Sequence, residues 1–335
     1  PGEPRNGEHI RKAAEEADAG EVLIKRGTLL NPAHLALAAL AGHDSLPVLG
    51  KALVRLVFTG SEVVTAGIPQ PGEVRDTFGP QLAAVVEMLG GICAGETKIG
   101  DSYAEWLAAL EDTDPADGIG ERASAQPSGR PASDLLPAAD LLPADVVITT
   151  GGTGRSGTDH LRRSVAELGG RLLIDGVAMR PGHPAVLAEL PDGRFIIGLP
   201  GNPLAAMMAL STLGAPLLAA LGHRTLPPVT EVPCGSTIDP DPGRTRLMPF
   251  RLVYGMASPA QHTGPGMMRG LAAADGVLVV PPHGVQLGEP VPAFALPWGT
   301  ALPDPAATKD KPAPKRAARK PAGAGGPVDW SELLG

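Results

Sequence analysis

Three turn clusters hold the residues best placed to do chemistry. The first, Thr150-Gly151-Gly152-Thr153-Gly154, closes the apolar run Val146-Val147-Ile148. Glycines there let the backbone turn sharply and approach a ligand, and N–H groups at a helix start favour an anion. The second, Met179-Arg180-Pro181-Gly182-His183-Pro184, sets two basic side chains three residues apart in a proline-stiffened loop. Arginine offers a planar fork suited to phosphate or another oxyanion, and histidine adds a donor whose charge follows pH. The third, Gly198-Leu199-Pro200-Gly201-Asn202-Pro203, leads into a helix and adds Asn202 as a side-chain donor. Together they point to a phosphate-bearing ligand. Singly they also fit ordinary tight turns, with Arg180 and His183 as solvated polar residues.

Four acids stand near the same strand ends: Glu62, Asp76, Asp101 and Asp159. Helix N-caps and solvated surface carboxylates are the commoner fates of such residues. One or two of them could instead share a Mg²⁺ ion, whose remaining ligands come from water and phosphate.

A frame of alternating elements must position these groups. Asn31 and Pro32 read as the N-cap and first residue of a helix reaching Gly42, after a strand-like run Val22-Leu23-Ile24. Leu53 to Phe58 reads as a buried parallel strand, followed by a helix from Pro80 to Leu89, a strand from Ile92 to Lys98 and a helix from Asp101 to Leu110. Val146 to Thr149, Arg194 to Ile197 (strands), Thr158 to Leu168 and Leu204 to Leu221 (helices) continue the alternation. Such alternation predicts an α/β fold with a doubly wound, mostly parallel sheet. Beyond Pro227, short Pro-bounded runs at 229–233, 247–253, 276–280 and 291–296 predict a small β domain.

Composition narrows the function classes. Net charge is −8, and the segment from Thr300 onward is slightly basic, so the body is more acidic still and argues against broad nucleic-acid binding. Cys93 and Cys234 match no metal or redox spacing, which favours a reducing cytoplasm. No apolar run approaches membrane-spanning length.

On these residues the chain resembles the MoeA/gephyrin-E family of molybdopterin molybdotransferases, from Gly7-Glu8-His9-Ile10-Arg11 to about Trp298. The ordered set Thr-Thr-Gly-Gly, Arg-Pro-Gly-His-Pro and Gly-Leu-Pro-Gly-Asn-Pro carries the resemblance, with Gly27 to Pro32, Thr59-Gly60-Ser61-Glu62 and Gly264 to Pro282 in support. The resemblance implies insertion of molybdate into adenylylated molybdopterin, with Mg²⁺-dependent loss of AMP. It also implies a homodimer, a molybdopterin adenylyltransferase as partner, and neither nucleic acid nor membrane. It assigns Glu62, Asp101, Asp159, Arg180 and His183 to catalysis, Glu62 and Asp101 also to Mg²⁺. Thr150, Gly151, Gly152, Thr153, Gly154, Pro181, Gly182, Pro200, Gly201, Asn202 and Pro203 would hold the nucleotide-pterin. A non-catalytic molybdopterin carrier or regulator is the alternative reading.

The departures from the family pattern gather at the molybdate pocket. Arg180 and His183 stand where two lysines are usual, so oxyanion affinity should fall as pH rises. Gly60-Ser61-Glu62 replaces Gly-Asp-Glu, Leu204-Ala205-Ala206 replaces a Val-Ser pair, and Gly264-Pro265-Gly266 replaces Gly-Ser-Gly. The family's arginine in the β domain corresponds to Arg246 or Arg251, or is absent. The expected organisation is a partial N-terminal segment (1–50) without the family's elongated arm, a molybdopterin-binding α/β domain (51–227) with a mobile insertion (112–143), a β domain (228–299) and a disordered tail (300–335).

Overall fold

The computed structural model describes residue 7 and residues 10–111, 144–154, 159–299 and 302. The expected insertion 112–143 lies outside the described residues, as does the expected tail apart from Leu302, which packs on the C-terminal β core. The chain divides into two compact units, Pro1–Gly50 and Lys51–Gly335.

In the first unit, helix α1 (Pro32–Leu40) begins where side-chain chemistry dictates. Asn31 accepts from the His34 N–H at 3.0 Å, and the His34 ring accepts from the Asn31 N–H at 3.2 Å, so two orphan donors are satisfied reciprocally. Val22-Leu23-Ile24 forms no strand, contrary to its apolar pattern. Val22 is exposed, and the run has no neighbouring strand to share its backbone hydrogen bonds.

The second unit opens with β1 (Leu53–Thr59), a two-stranded ribbon β2 (Val63–Val64) and β3 (Val74–Arg75), and α2 (Leu82–Met88). It continues through β4 (Ile92–Ile99), α3 (Tyr103–Glu111), β5 (Val146–Thr150), α4 (Leu161–Glu167), β6 (Arg171–Asp175), β7 (Met179–Arg180), β8 (Val186–Glu189) and β9 (Phe195–Leu199). The sheet runs β4-β1-β5-β9-β8-β6; the first four strands are parallel, and the last two join antiparallel. Side chains alternate across it. Val54, Leu56 and Ile148 pack with α2 on one face, while Val57 and Val147 pack with Trp106, Leu161 and Val165 of α3 and α4 on the other. Both faces are covered, as a doubly wound sheet requires.

After β9 the chain enters α5 (Pro203–Ala209), a π-helical turn (Leu210–Gly214) and α6 (Ala215–Leu221). Pro216 explains the interruption, because it lacks the N–H that would continue the ladder. Among the described residues, and contrary to the expectation that no apolar run approaches such a length, Pro203–Leu221 is the one helix long and apolar enough to cross a membrane, its π turn joining segments that Ser211, Thr212 and Gly214 divide in the sequence. Here it is mostly buried, with Leu204 to Leu210 packed in the core.

The C-terminal strands are β10 (Val229–Pro233), β11 (Thr245–Val253), β12 (Met256–Pro259), β13 (Gly276–Val280) and β14 (Pro290–Ala295), with the short α7 (Arg269–Ala272) before β13. They pair in the order β10-β14-β13-β11-β12. Cys234, just past β10, bridges Ala257 of β12, and the Gly235 N–H donates to the Ala257 carbonyl at 2.8 Å. The sheet thereby closes on itself around Val232, Phe250, Leu278 and Val291. Closure removes the open edges that a small sheet would otherwise expose. At its start β11 also pairs in parallel with β7, Thr245 opposite Met179 and Arg246 opposite Arg180, which ties the barrel to the α/β sheet.

Candidate functional site

The glycine loop is built on the buried end of β5. Gly151 and Gly152 take φ values of +79° and +65°, backbone that L side chains rarely adopt. Space is equally restrictive, since a Cβ on Gly152 would stand 2.3 Å from the Trp106 indole. The Gly151 N–H donates to the Leu199 carbonyl at 2.8 Å and the Gly154 N–H to Asp159 at 3.0 Å. These two groups therefore hold the loop in shape rather than facing an anion, a correction to the expectation of free loop N–H groups. Helix α4 begins at Leu161, so Asp159 precedes it instead of lying on its first turn.

Of the acids, Asp101 and Asp159 act as loop ties. Asp101 accepts from the Ser61 N–H at 3.1 Å and the Ser61 hydroxyl at 2.5 Å, which brings the loop after β1 to the loop after β4. The Asp101 carbonyl accepts from the His160 ring at 3.0 Å. Glu62 is exposed beside Ser61, with its carboxylate lying over Gly60. Asp76 instead turns on itself, accepting from the Phe78 and Gly79 N–H groups at 2.8 and 3.1 Å. Nearby, the Ser102 hydroxyl and the Gly100 N–H hold the Glu105 carboxyl below its usual range. Among the described residues, no group of three or more His, Cys, Asp or Glu side chains could hold a metal by itself. Asp101 bonds Ser61, the residue before Glu62, so the two acids assigned to Mg²⁺ in the sequence lie on adjoining loops.

The basic loop frames a cavity of about 170 Å³. Arg180, His183, Pro200, Asn202, Arg244 and Pro265 are among its walls. Gly182, at φ +109°, lets the loop pass within packing distance of Met179 and the Ala205 carbonyl. The His183 Nδ1 donates to the Val177 carbonyl at 2.7 Å, which reserves Nε2 for other contacts. Arg180 lies 3.5 Å from Asp241. The carbonyl of Pro265 accepts from the Leu204 and Ala205 N–H groups at 2.9 and 3.3 Å, satisfying the first turn of α5 from across the barrel.

Arg244 was missed in the sequence; its only signal is the Asp241-Pro242-Gly243-Arg244 turn before β11. Arg251 lies towards the far end of β11, opposite Ser258. Arg246 stands in register with Arg180, with its Nε buried and unpartnered. Trp106 and Arg162 were also missed: the first supports Gly152, and the second donates to loop carbonyls.

A doubly wound sheet whose loops frame a small cavity with basic walls, completed by a C-terminal barrel, defines a two-part α/β class of protein. Known proteins place it more closely. A family model described as a probable molybdopterin binding domain matches residues 133–220, and one for the MoeA C-terminal region (domain IV) matches residues 231–296. Molybdopterin molybdenumtransferase 2 of Mycobacterium tuberculosis is 29% identical over 297 residues, 84% of this chain and 65% of its own length. The Bacillus subtilis molybdopterin molybdenumtransferase is 28% identical over 64% of this chain and 44% of its own. A crystal structure of the molybdopterin biosynthesis MoeA protein from Pyrococcus horikosii shares the fold, with a TM-score of 0.62 at 24% identity over 84% of this chain and 64% of that one. This chain is similar to MoeA proteins in both its α/β and its C-terminal parts, and it spans less than two thirds of these relatives' lengths.

Proposed function

We propose that this protein inserts molybdate into adenylylated molybdopterin and releases AMP. The observation that carries this reading is the single cavity that draws Arg180 and His183 together with Arg244 of the barrel. Three basic side chains around a volume of that size suit a small tetrahedral oxyanion. The glycine loop lies alongside, since a Cβ on Gly201 would stand 3.9 Å from the Gly151 Cα, and Gly201 belongs to the same turn that supplies Pro200 and Asn202 to the cavity. The shared turn supports a reading in which the oxyanion lies next to the loop assigned to the nucleotide-pterin.

In this reading, residues Thr150 to Gly154 hold the nucleotide-pterin, with Pro181, Gly182, Pro200, Gly201, Asn202 and Pro203 shaping the adjoining wall. Arg180, His183 and Arg244 hold molybdate. Glu62 and Asp101 would hold Mg²⁺, which would supply charge neutralisation at the phosphate groups of the substrate. Asp159 acts by fixing Gly154. A homodimer, an adenylyltransferase supplying the nucleotide-pterin, and a cytoplasmic location complete the proposal. The carrier reading is not favoured, because the relatives are named as transferases.

Incubating the protein with adenylylated molybdopterin, molybdate and Mg²⁺ tests the reading. Release of AMP that depends on molybdate and Mg²⁺ is expected; none between about pH 6 and 8 would refute it.

A further inference from the structure

We propose that Arg162, which lies outside the cavity walls, is the positioning residue of the glycine loop; the proposal rests on the reading that this loop holds the nucleotide-pterin. Arg162 projects from the first turn of α4 and reaches back to the loop. Its Nη1 donates to the Thr153 carbonyl at 3.0 Å and the Gly154 carbonyl at 2.8 Å. Its Nε and Nη2 meet Asp175 at the end of β6 at 2.7 and 2.6 Å. One guanidinium thus joins a helix, a loop and a strand end, and its side chain is only 22% exposed.

The consequence lies in the peptide between Thr153 and Gly154. In a trans peptide the C=O and N–H point opposite ways. Here the C=O is taken by the cation of Arg162 and the N–H by the anion of Asp159, so the plane is gripped from both sides. The plane cannot flip without breaking two charge-assisted hydrogen bonds. Such a grip is needed because Gly151 and Gly152 have the largest backbone freedom to lose on ordering. Asp175 balances the charge of Arg162, and only the planar fork of an arginine can serve the carboxylate and two carbonyls together. A loop held in this way meets its ligand already ordered, which lowers the cost of binding.

The experiment titrates adenylylated molybdopterin and, separately, molybdate into the wild type and four variants: R162M, R162K, D175N and the swap R162D/D175R. Circular dichroism and thermal melting show which are folded. R162M is expected to bind the nucleotide-pterin about 10- to 100-fold more weakly, less than the full worth of two hydrogen bonds from a charged donor because they order the loop and do not touch the ligand. Molybdate affinity should stay within about twofold, since Arg162 is not a wall of that cavity. R162K keeps a donor near the carbonyls and is expected to recover about half of the logarithmic loss, and D175N should cost less than R162M. The swap rebuilds an ion pair but cannot grip the carbonyls, so weak binding should persist even where stability returns. A folded R162M that binds within twofold of wild type overturns the proposal, as does a swap that restores full affinity. Failure of the wild type to bind the nucleotide-pterin would instead refute the functional reading beneath it.

Discussion

His183 shows how one hydrogen bond can set the behaviour of a site. Its Nδ1 faces the Val177 carbonyl, so Nδ1 carries the proton and Nε2 of the neutral ring is an acceptor. An acceptor repels an oxyanion, and only the imidazolium presents a second N–H. H183K, which presents a charged donor, is therefore expected to bind molybdate about tenfold more tightly, and calorimetry on the two proteins checks this. Equal affinities would exclude His183 from anion binding. Arg180 and His183 were conspicuous in the sequence because proline and glycine set them in one short loop. Arg244 and Arg162 were not, because neither sits in a recognisable spacing and each reaches its place only through folding. Arg244 enters the cavity by way of the barrel, and Arg162 reaches the loop by way of a helix.

At the scale of elements, α3 and the glycine loop are fitted to each other. Trp106 is 1% exposed and fills the space that a side chain at Gly152 would need. G152A combines a 2.3 Å clash with a positive φ, and is expected to cost about 1–3 kcal/mol, read as a lower urea midpoint at unchanged slope. A midpoint equal to wild type would show that α3 yields easily. The parallel strands β5 and β9 were legible because they are almost wholly buried and begin as apolar runs, and β1 because only Arg55 interrupts its apolar pattern. The edge pair was not. Strand β6 is mostly exposed and β8 has only four residues, so neither shows a buried-strand pattern. The continuous helix expected from Leu204 to Leu221 hid its π turn because nothing but Pro216 marks it.

Across the whole molecule, the α/β sheet and the barrel share one cavity. Strand β7 pairs with β11, and Pro265 satisfies the start of α5. An anion held by Arg180, His183 and Arg244 would bind both parts at once. Saturating molybdate is therefore expected to raise the stability of the two together, by about 2.7 kcal/mol at a hundredfold excess over Kd, as a single calorimetric transition. Two transitions, of which only one responds to molybdate, would contradict that coupling. The barrel strands were readable from their short, Pro-bounded runs. Their closure through Cys234 and Ala257 was not, because a bridge between distant residues leaves no local pattern.

The Pro265 contact has a consequence for how such chains can change. Residues 264–266 and 202–205 lie far apart in the sequence, yet one carbonyl joins them across the cavity. Both sides of that contact are backbone groups, so it survives a change of side chain but not a change in the length of either stretch. The two stretches are therefore free to drift in sequence only while each keeps its length.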